Sequence, residues 1–134
     1  MIGICLTAAT GLALALPLPA FTLAWTHSIE KIRWEEDYRV LSSADRNESG
    51  RLQLTEARIR GSGAGMEPPA DAVLADGAWH YRPRLAPLQR LRLTRSDYVA
   101  DYSICWDGQC QPLAALAGSP AAAPLVEVFA CEQP

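Results

Sequence analysis

Residues 21–40 read FTLAWTHSIEKIRWEEDYRV, and this stretch decides the fold. Apolar and polar side chains alternate through residues 21–27 and again through residues 32–40. A two-residue period is typical of a strand with one buried face, because successive side chains of a strand point to opposite faces. The link between the two runs, residues 29–31, is short. The stretch therefore predicts an antiparallel β-hairpin.

Turn signals recur along the rest of the chain. Asp-Gly pairs stand at 76–77 and 107–108, and Asp-Gly is the strongest short signal for a two-residue hairpin. Residues 51–60 alternate weakly, residues 125–129 read as a closing strand, and residues 113–117 predict a short helix. About eight short strands at this spacing predict a mainly β fold. We expect a small antiparallel β-sandwich or a partly open barrel, with at most one short helix.

Length and composition agree with a single folded domain. The chain has 134 residues, of which 49% are hydrophobic and 20% charged, as in ordinary globular proteins. The formal net charge is −3, so electrostatics gives no reason to expect nucleic-acid binding. The pattern predicts no cofactor. We assign the domain to residues 21–134.

The first 20 residues, MIGICLTAATGLALALPLPA, carry no charged side chain. An apolar segment of this length that ends in small residues and prolines predicts a secretory signal peptide. It is also long enough for an uncleaved N-terminal membrane anchor. In both cases we expect export to the periplasm, with attachment to the inner membrane in the second case.

Cysteine usage fits an exported domain. Cys105 and Cys110 flank the Asp-Gly turn at 107–108, so a two-residue hairpin would place them opposite each other as a non-hydrogen-bonded pair. Such a pair is close enough for a disulfide, which an oxidising compartment permits. Cys5 falls in the N-terminal segment, and Cys131 is a competing partner for either hairpin cysteine. The predicted bridge is Cys105–Cys110, and the alternative stays open.

Two neighbouring residues of the hairpin, His27 and Ser28, invite a catalytic interpretation. Neighbouring strand residues point to opposite faces, so the two cannot act as a base and nucleophile pair. With His80, Glu30 and Glu35, His27 would offer ligand types that zinc accepts, but the chain lacks any clustered ligand motif. We predict no metal. The alternative to a ligand contact is a hydrogen bond from His27 to Glu30 or Glu35.

The second strand of the hairpin contains three consecutive carboxylates. Glu35 and Asp37 share one face, and Arg33 and Arg39 on that face are expected partners. Glu36 falls on the opposite face among aromatic residues, where an unpaired charge is costly. Either the strand is a solvated acidic face, or Glu35 contacts a ligand.

Residues 61–69 read GSGAGMEPP, in which Gly61, Gly63 and Gly65 alternate with Ser62 and Ala64. Bare backbone on one face lets another chain or a ligand approach closely. Glycines with positive φ would also form an anion-binding nest. A bulge or corner is the purely structural alternative.

Together, residues 21–40 and 61–68 resemble the exported bacterial domain-of-unknown-function family 1850. The family pattern is a strand ending in His-Ser, a following glutamate, a further glutamate with an aromatic residue, and a Gly-Ala-Gly loop. The matching positions are His27, Ser28, Glu30, Glu35 or Glu36, Tyr38, Gly63, Ala64 and Gly65.

The resemblance implies no established activity, but members tend to be encoded beside TRAP-type solute transporters of the TAXI subgroup. It therefore suggests an accessory domain that binds a transporter component or a small solute. The alternatives are a metal-assisted or acid–base enzyme that uses His27 and nearby glutamates, and a purely structural assembly factor. The candidate binding residues are His27, Ser28, Glu30, Glu35, Gly63, Ala64 and Gly65.

Overall fold

A computed structural model describes residues 1–9, 11–26, 31–43, 50–60 and 70–134. Its elements are β1 (Ile2–Ala8), β2 (Gly11–Leu16), β3 (Ala20–Thr26), β4 (Arg33–Leu41), β5 (Arg51–Arg60), β6 (Val73–Ala75), β7 (Ala78–Tyr81), β8 (Leu91–Thr94), β9 (Ser103–Trp106), β10 (Gln109–Pro112), α1 (Leu113–Ala117) and β11 (Leu125–Glu132).

These strands form two antiparallel sheets. The smaller has the order β2-β1-β11-β8, and the larger has the order β10-β9-β3-β4-β5-β7-β6. The predicted mainly β sandwich with one short helix is therefore confirmed, and the described strands do not close into a barrel. The larger sheet contains the hairpin and the carboxylates that the sequence singled out.

The predicted hairpin of residues 21–40 is the pair β3–β4. Phe21 lies opposite Tyr38, and Trp25 lies opposite Trp34. Both pairs stack on the inner face, with ring centroids 5.4 Å and 6.1 Å apart respectively. Cross-strand aromatic pairs of this kind stabilise antiparallel sheets.

Both Asp-Gly pairs form the expected turns. Asp76 and Gly77 have φ of 51° and 76°, and Asp107 and Gly108 have φ of 52° and 77°. Positive φ at both central residues defines the hairpin turn whose twist matches that of the strands. Accordingly, β6 pairs with β7 and β9 pairs with β10 across two-residue turns.

Apolar residues from both sheets fill the space between them. Burying these side chains supplies the main driving force for folding. Those fully buried and largest in volume are Ile4, Leu6, Leu52, Ile104, Leu113, Val126 and Val128.

A bulge in β5 explains its weak sequence alternation. Asp37 pairs with Glu56, whereas the next residue, Tyr38, pairs with Leu54. Thr55 is therefore the extra residue, and its hydroxyl donates to the Asp37 carbonyl at 3.2 Å. Buried residues of β5 fall at even positions before the bulge and at odd positions after it. The bulge changes which residues face the core, as an inserted residue must.

A buried arginine holds the loops at one end of the sandwich. The Arg95 side chain has no exposed surface, and its Nε and Nη2 donate to Asp101 at 2.9 Å and 2.7 Å. Its remaining hydrogen bonds go to the carbonyls of Ala123 and Gly118. All three nitrogens of the guanidinium thus donate to structural partners, as a buried cation requires.

The predicted disulfide Cys105–Cys110 is confirmed. The competing role for Cys131 was wrong, because Cys131 is bonded to Cys5. Their strands, β11 and β1, are neighbours in the smaller sheet, so the pairing depends on contacts that the local sequence does not indicate.

The N-terminal segment contributes to the same sheet. Residues 2–8 and 11–16 form β1 and β2, and Ile4 and Leu6 belong to the buried core. A segment released as a signal peptide cannot also supply these two strands and one half of a disulfide. The predicted cleavage and the described packing are thus alternatives for the same residues.

Removal of residues 1–20 should lower the stability of the folded domain. A chain that begins at Phe21 loses Ile4, Leu6 and the partner of Cys131, so we expect its midpoint of urea unfolding to fall strongly. Cys131 should then react as a free thiol, whereas the full chain should show none under native conditions. Equal unfolding midpoints would show that β1 and β2 contribute nothing to the stability of the domain.

Candidate functional site on the larger sheet

The outer face of β3, β4, β5 and β7 carries a set of charged and polar side chains that we call the charged ladder. Strand register aligns its members: Glu35 lies opposite Arg58, and Asp37 lies opposite Glu56. The β5 bulge sets this alignment. The ladder comprises Thr22, Arg33, Glu35, Asp37, Glu56, Arg58, Arg60 and His80.

Arg58 is the centre of the ladder. Its Nη1 and Nη2 donate to the two carboxylate oxygens of Asp37 at 2.6 Å and 2.7 Å. Nη1 also donates to Glu56 at 2.8 Å, and Nε donates to Glu35 at 3.2 Å. A guanidinium fork suits such bidentate contacts, so one cation joins three carboxylates.

Glu35, the one described member of the candidate binding set, is occupied by arginines. Its carboxylate accepts from Arg33 at 3.2 Å, from Arg58 at 3.2 Å and from Arg60 at 2.7 Å. Burial raises the pKa of Glu35, but these hydrogen bonds outweigh burial and hold that pKa below its ordinary value. Arg33 was a predicted partner, whereas Arg58 and Arg60 were not, because β5 alternated too weakly in sequence to assign its faces.

Asp37 is similarly held in its ionised form. Burial raises the pKa of Asp37, but the hydrogen bonds from Arg58 and from the Thr22 hydroxyl lower that pKa by more than burial raises it. The Thr22 hydroxyl donates to Asp37 at 2.6 Å. Asp37 thus strengthens the ladder.

His80 closes the β7 side of the ladder. Its Nδ1 lies 3.2 Å from a Glu56 oxygen, and its Nε2 lies 3.1 Å from the Ala75 carbonyl oxygen. Both partners are acceptors, so each ring N–H that His80 carries has a hydrogen-bond partner. The Ala75 contact lies within the β6–β7 hairpin, and the Glu56 contact links β7 to β5.

Glu36 has the opposite environment to its neighbour Glu35. It points to the inner face, where the Tyr38 hydroxyl donates to it at 3.0 Å. Burial raises the pKa of Glu36 and outweighs this hydrogen bond. Trp34 lies two residues before Glu36 on the same face of β4, and its buried Nε1 has no hydrogen-bond partner among the described residues. A half-buried carboxyl with a raised pKa is a candidate proton donor or acceptor, whereas the sequence had placed Glu35 in the candidate site.

The other candidate residues lie outside the described residues: His27, Ser28, Glu30, Gly63, Ala64 and Gly65. The residues that flank them are described. Thr26 pairs with Arg33, Arg33 pairs with Arg60, and Arg60 pairs with Ala78. The chain therefore departs towards His27 from β3 and towards the glycine cluster from β5, at the same end of the sheet and with β4 between them.

Two open grooves border the ladder. One, of about 640 Å³, includes Asp37, Arg39 and Arg58 in its lining and extends to Cys105 and Trp106. The other, of about 500 Å³, is lined by residues that include Glu56 and His80, with Arg82 and Arg84 at its rim. Each combines cations and carboxylates.

Within the described ranges, no group of three or more His, Cys, Asp or Glu side chains is placed to hold a metal ion. The only helix in those ranges, α1, has five residues, and none there has the length and apolar character needed to span a bilayer.

These features define a disulfide-bonded antiparallel β-sandwich with a charged outer face on its larger sheet. The family model described as "Domain of unknown function (DUF1850)" matches residues 21–113. The chain belongs to that family, and the match confirms the resemblance found in the sequence. No match to the chain was found among curated proteins or among solved structures.

Replacement of Glu35 and of Glu36 by glutamine should change the free energy of unfolding in opposite directions. Glu35→Gln removes a carboxylate that three guanidinium groups share, so we expect the free energy of unfolding at pH 7 to fall by about 2 kcal/mol. Glu36→Gln removes a charge that burial disfavours, so we expect a rise of about 1 kcal/mol at that pH. Urea unfolding of the oxidised variants provides the measurement, with Arg92→Gln on the other sheet as a control.

The pH dependence follows from the directions of the pKa shifts. The lowered pKa values of Glu35 and Asp37 stabilise the protein above their unfolded values, near 4.5 and 3.8, and this stability is lost as the pH falls through the folded values. The raised pKa of Glu36 acts in the opposite sense, because its contribution is lost as the pH rises through the folded value. Acid destabilisation should therefore weaken in Glu35→Gln. A Glu36→Gln variant less stable than the parent at pH 7 would contradict the assignment.

Proposed function

We propose that this chain is an exported accessory domain of TAXI-type TRAP solute uptake, and that it binds a transporter component or a small solute. The proposal rests on family membership, on the association that the resemblance implies, and on the surface described above. The contact region is the end of the larger sheet from which His27, Ser28, Glu30, Gly63, Ala64 and Gly65 are reached.

One observation carries this assignment. Thr26 on β3 pairs with Arg33 on β4, and Arg33 pairs with Arg60 on β5, so both family segments leave the same end of the larger sheet with only β4 between their departure points. Two segments that are separated by 30 residues in sequence are thus attached to the same end of one sheet. A contact surface shared by both segments is the use of this arrangement that we propose.

The charges at this end of the sheet indicate the chemistry of the partner. The side chains of Arg33 and Arg60 are 40% and 42% exposed, while the Glu35 carboxylate that they share is only 11% exposed. The accessible part is therefore mainly cationic. Exposed guanidinium groups recognise carboxylates with matched geometry, so we propose an acidic surface or an organic carboxylate as the bound group.

Export is supported by the disulfides. All four cysteines are paired, and paired cysteines are typical of oxidising compartments. The periplasm is the compartment we propose, and attachment to the inner membrane through an uncleaved N-terminal segment remains part of the same proposal.

Glu36 favours a second candidate function, that of an acid–base enzyme. Its raised pKa and its position beside Tyr38 and Trp34 are features of groups that transfer protons. A metal-assisted version would also use His27. Metal analysis of protein purified without an affinity tag tests that version, since a stoichiometric transition metal that is lost in His27→Ala would favour it over the binding role.

The binding role is tested by co-purification with TAXI-type transporter components expressed in the same cell. We expect His27→Ala and Arg60→Gln each to reduce the retained component by about ten-fold, which is the loss of one charged or hydrogen-bonded contact. Arg92→Gln is the matched control, because Arg92 is 69% exposed on the other sheet.

Circular dichroism should show that all three variants are folded. If His27→Ala and Arg60→Gln retain the component as well as Arg92→Gln does, the contact region is not where we place it. If His27→Ala lowers stability while solute uptake is intact, the segment serves the fold and the chain is a structural assembly factor.

A further inference from the structure

The Cys105–Cys110 disulfide lies beside a cation. Arg33 donates from Nε to Glu35 at 3.2 Å, and this contact leaves Nη2 at 3.7 Å from Cys110 Sγ and 3.9 Å from Cys105 Sγ. A positive charge next to sulfur stabilises the thiolate relative to the thiol. Arg33 therefore favours the products of opening this disulfide.

Solvent access also favours reduction of the Cys105–Cys110 disulfide. Cys110 is exposed and stands on β10, which is an edge strand of the larger sheet. Cys105 lines the 640 Å³ groove, so both sides of the bond are near solvent. Cys5, by contrast, is only 7% exposed and belongs to the packed smaller sheet.

The two disulfides also differ in the length of chain that each one closes. Cys105 and Cys110 are five residues apart and are already joined by a tight turn, whereas Cys5 and Cys131 are 126 residues apart. The stabilisation from a disulfide grows with the length of the loop that it closes. Opening Cys105–Cys110 thus releases little chain entropy, and the hairpin hydrogen bonds remain.

We propose that Cys105–Cys110 is a thiol–disulfide exchange site that is opened by dithiol reductants while the domain stays folded. This inference is independent of the transporter association, because it depends only on the contacts of the hairpin. The chemical class of the partner is a dithiol, either a small molecule or the reduced dithiol of an oxidoreductase.

Reduction proceeds by two successive thiol–disulfide exchange reactions. A thiolate of the dithiol attacks the exposed Cys110 Sγ, a new S–S bond forms to the reductant, and the bond between Cys110 and Cys105 breaks. The electron pair leaves on Cys105 Sγ, where the Arg33 guanidinium stabilises the thiolate. The second thiol of the reductant, as its thiolate, then attacks the mixed disulfide and releases Cys110 as a thiolate. The dithiol is oxidised to its disulfide, two cysteines are reduced, and the two protons of the dithiol pass to solvent or to the cysteines.

The experiment measures reduction of each disulfide in the full chain under native conditions. Oxidised protein is mixed with dithiothreitol, quenched with iodoacetamide at intervals, and mapped by peptide mass. We expect Cys105 and Cys110 to be alkylated at least about ten-fold faster than Cys5 and Cys131, with the circular dichroism spectrum unchanged. Reduction of both disulfides at one rate would overturn the proposal.

Substitutions that remove or keep the positive charge test the role of Arg33. Arg33→Gln should slow reduction of Cys105–Cys110 by about three-fold, while Arg33→Lys should stay within about two-fold of the parent, because it retains the cation. Arg92→Gln is the control, since Arg92 is an exposed arginine on the other sheet and its substitution should leave the rate unchanged. Equal rates in Arg33→Gln and Arg92→Gln would remove Arg33 from the site.

Ionic strength supplies a readout that needs no variant. If Arg33→Gln fails to fold, the parent protein should still be reduced about two-fold more slowly in 1 M salt than in dilute buffer, because salt screens the half-exposed guanidinium. A rate that does not change with salt would contradict the proposed electrostatic assistance.

Discussion

The alternation of side chains along β4 separates Glu35 from Glu36, and the properties of the site follow from that separation. One carboxylate faces outward and is neutralised by guanidinium groups from two strands, while the next faces inward beside aromatic rings. The pKa of the first is lowered and that of the second is raised. Two glutamates that are neighbours in sequence thus have pKa values shifted in opposite directions, because successive side chains of a strand point to opposite faces.

The β5 bulge is what makes the outward arrangement work. If the same residues formed a regular strand without the bulge, Arg58 would point into the core and Ala57 would face solvent. The bulge brings Arg58 opposite Glu35, within reach of Asp37 as well. A single inserted residue therefore reconciles an apolar inner face with a charged outer face on the same strand.

Local features of the fold could be predicted from the sequence because their causes are local. Both Asp-Gly turns, the β3–β4 hairpin and the short helix depend on neighbouring residues, and so does the Cys105–Cys110 bridge. The strands β1 and β2 could not be recognised, because a run without charged residues is typical of a signal peptide as well as of two buried strands. The Cys5–Cys131 bond and the contacts of Arg58 depend on distant pairing and on the bulge, which no local pattern reveals.

The position of the Cys5–Cys131 disulfide also constrains the order of assembly. β1 pairs with β2 and with β11, the last strand of the chain, so its inner edge stays unpaired until synthesis is almost complete. The β9–β10 hairpin, in contrast, can close as soon as its own residues are available. A newly made chain would therefore expose an unpaired strand edge during most of its synthesis, and such an edge is prone to pair with the strands of other chains.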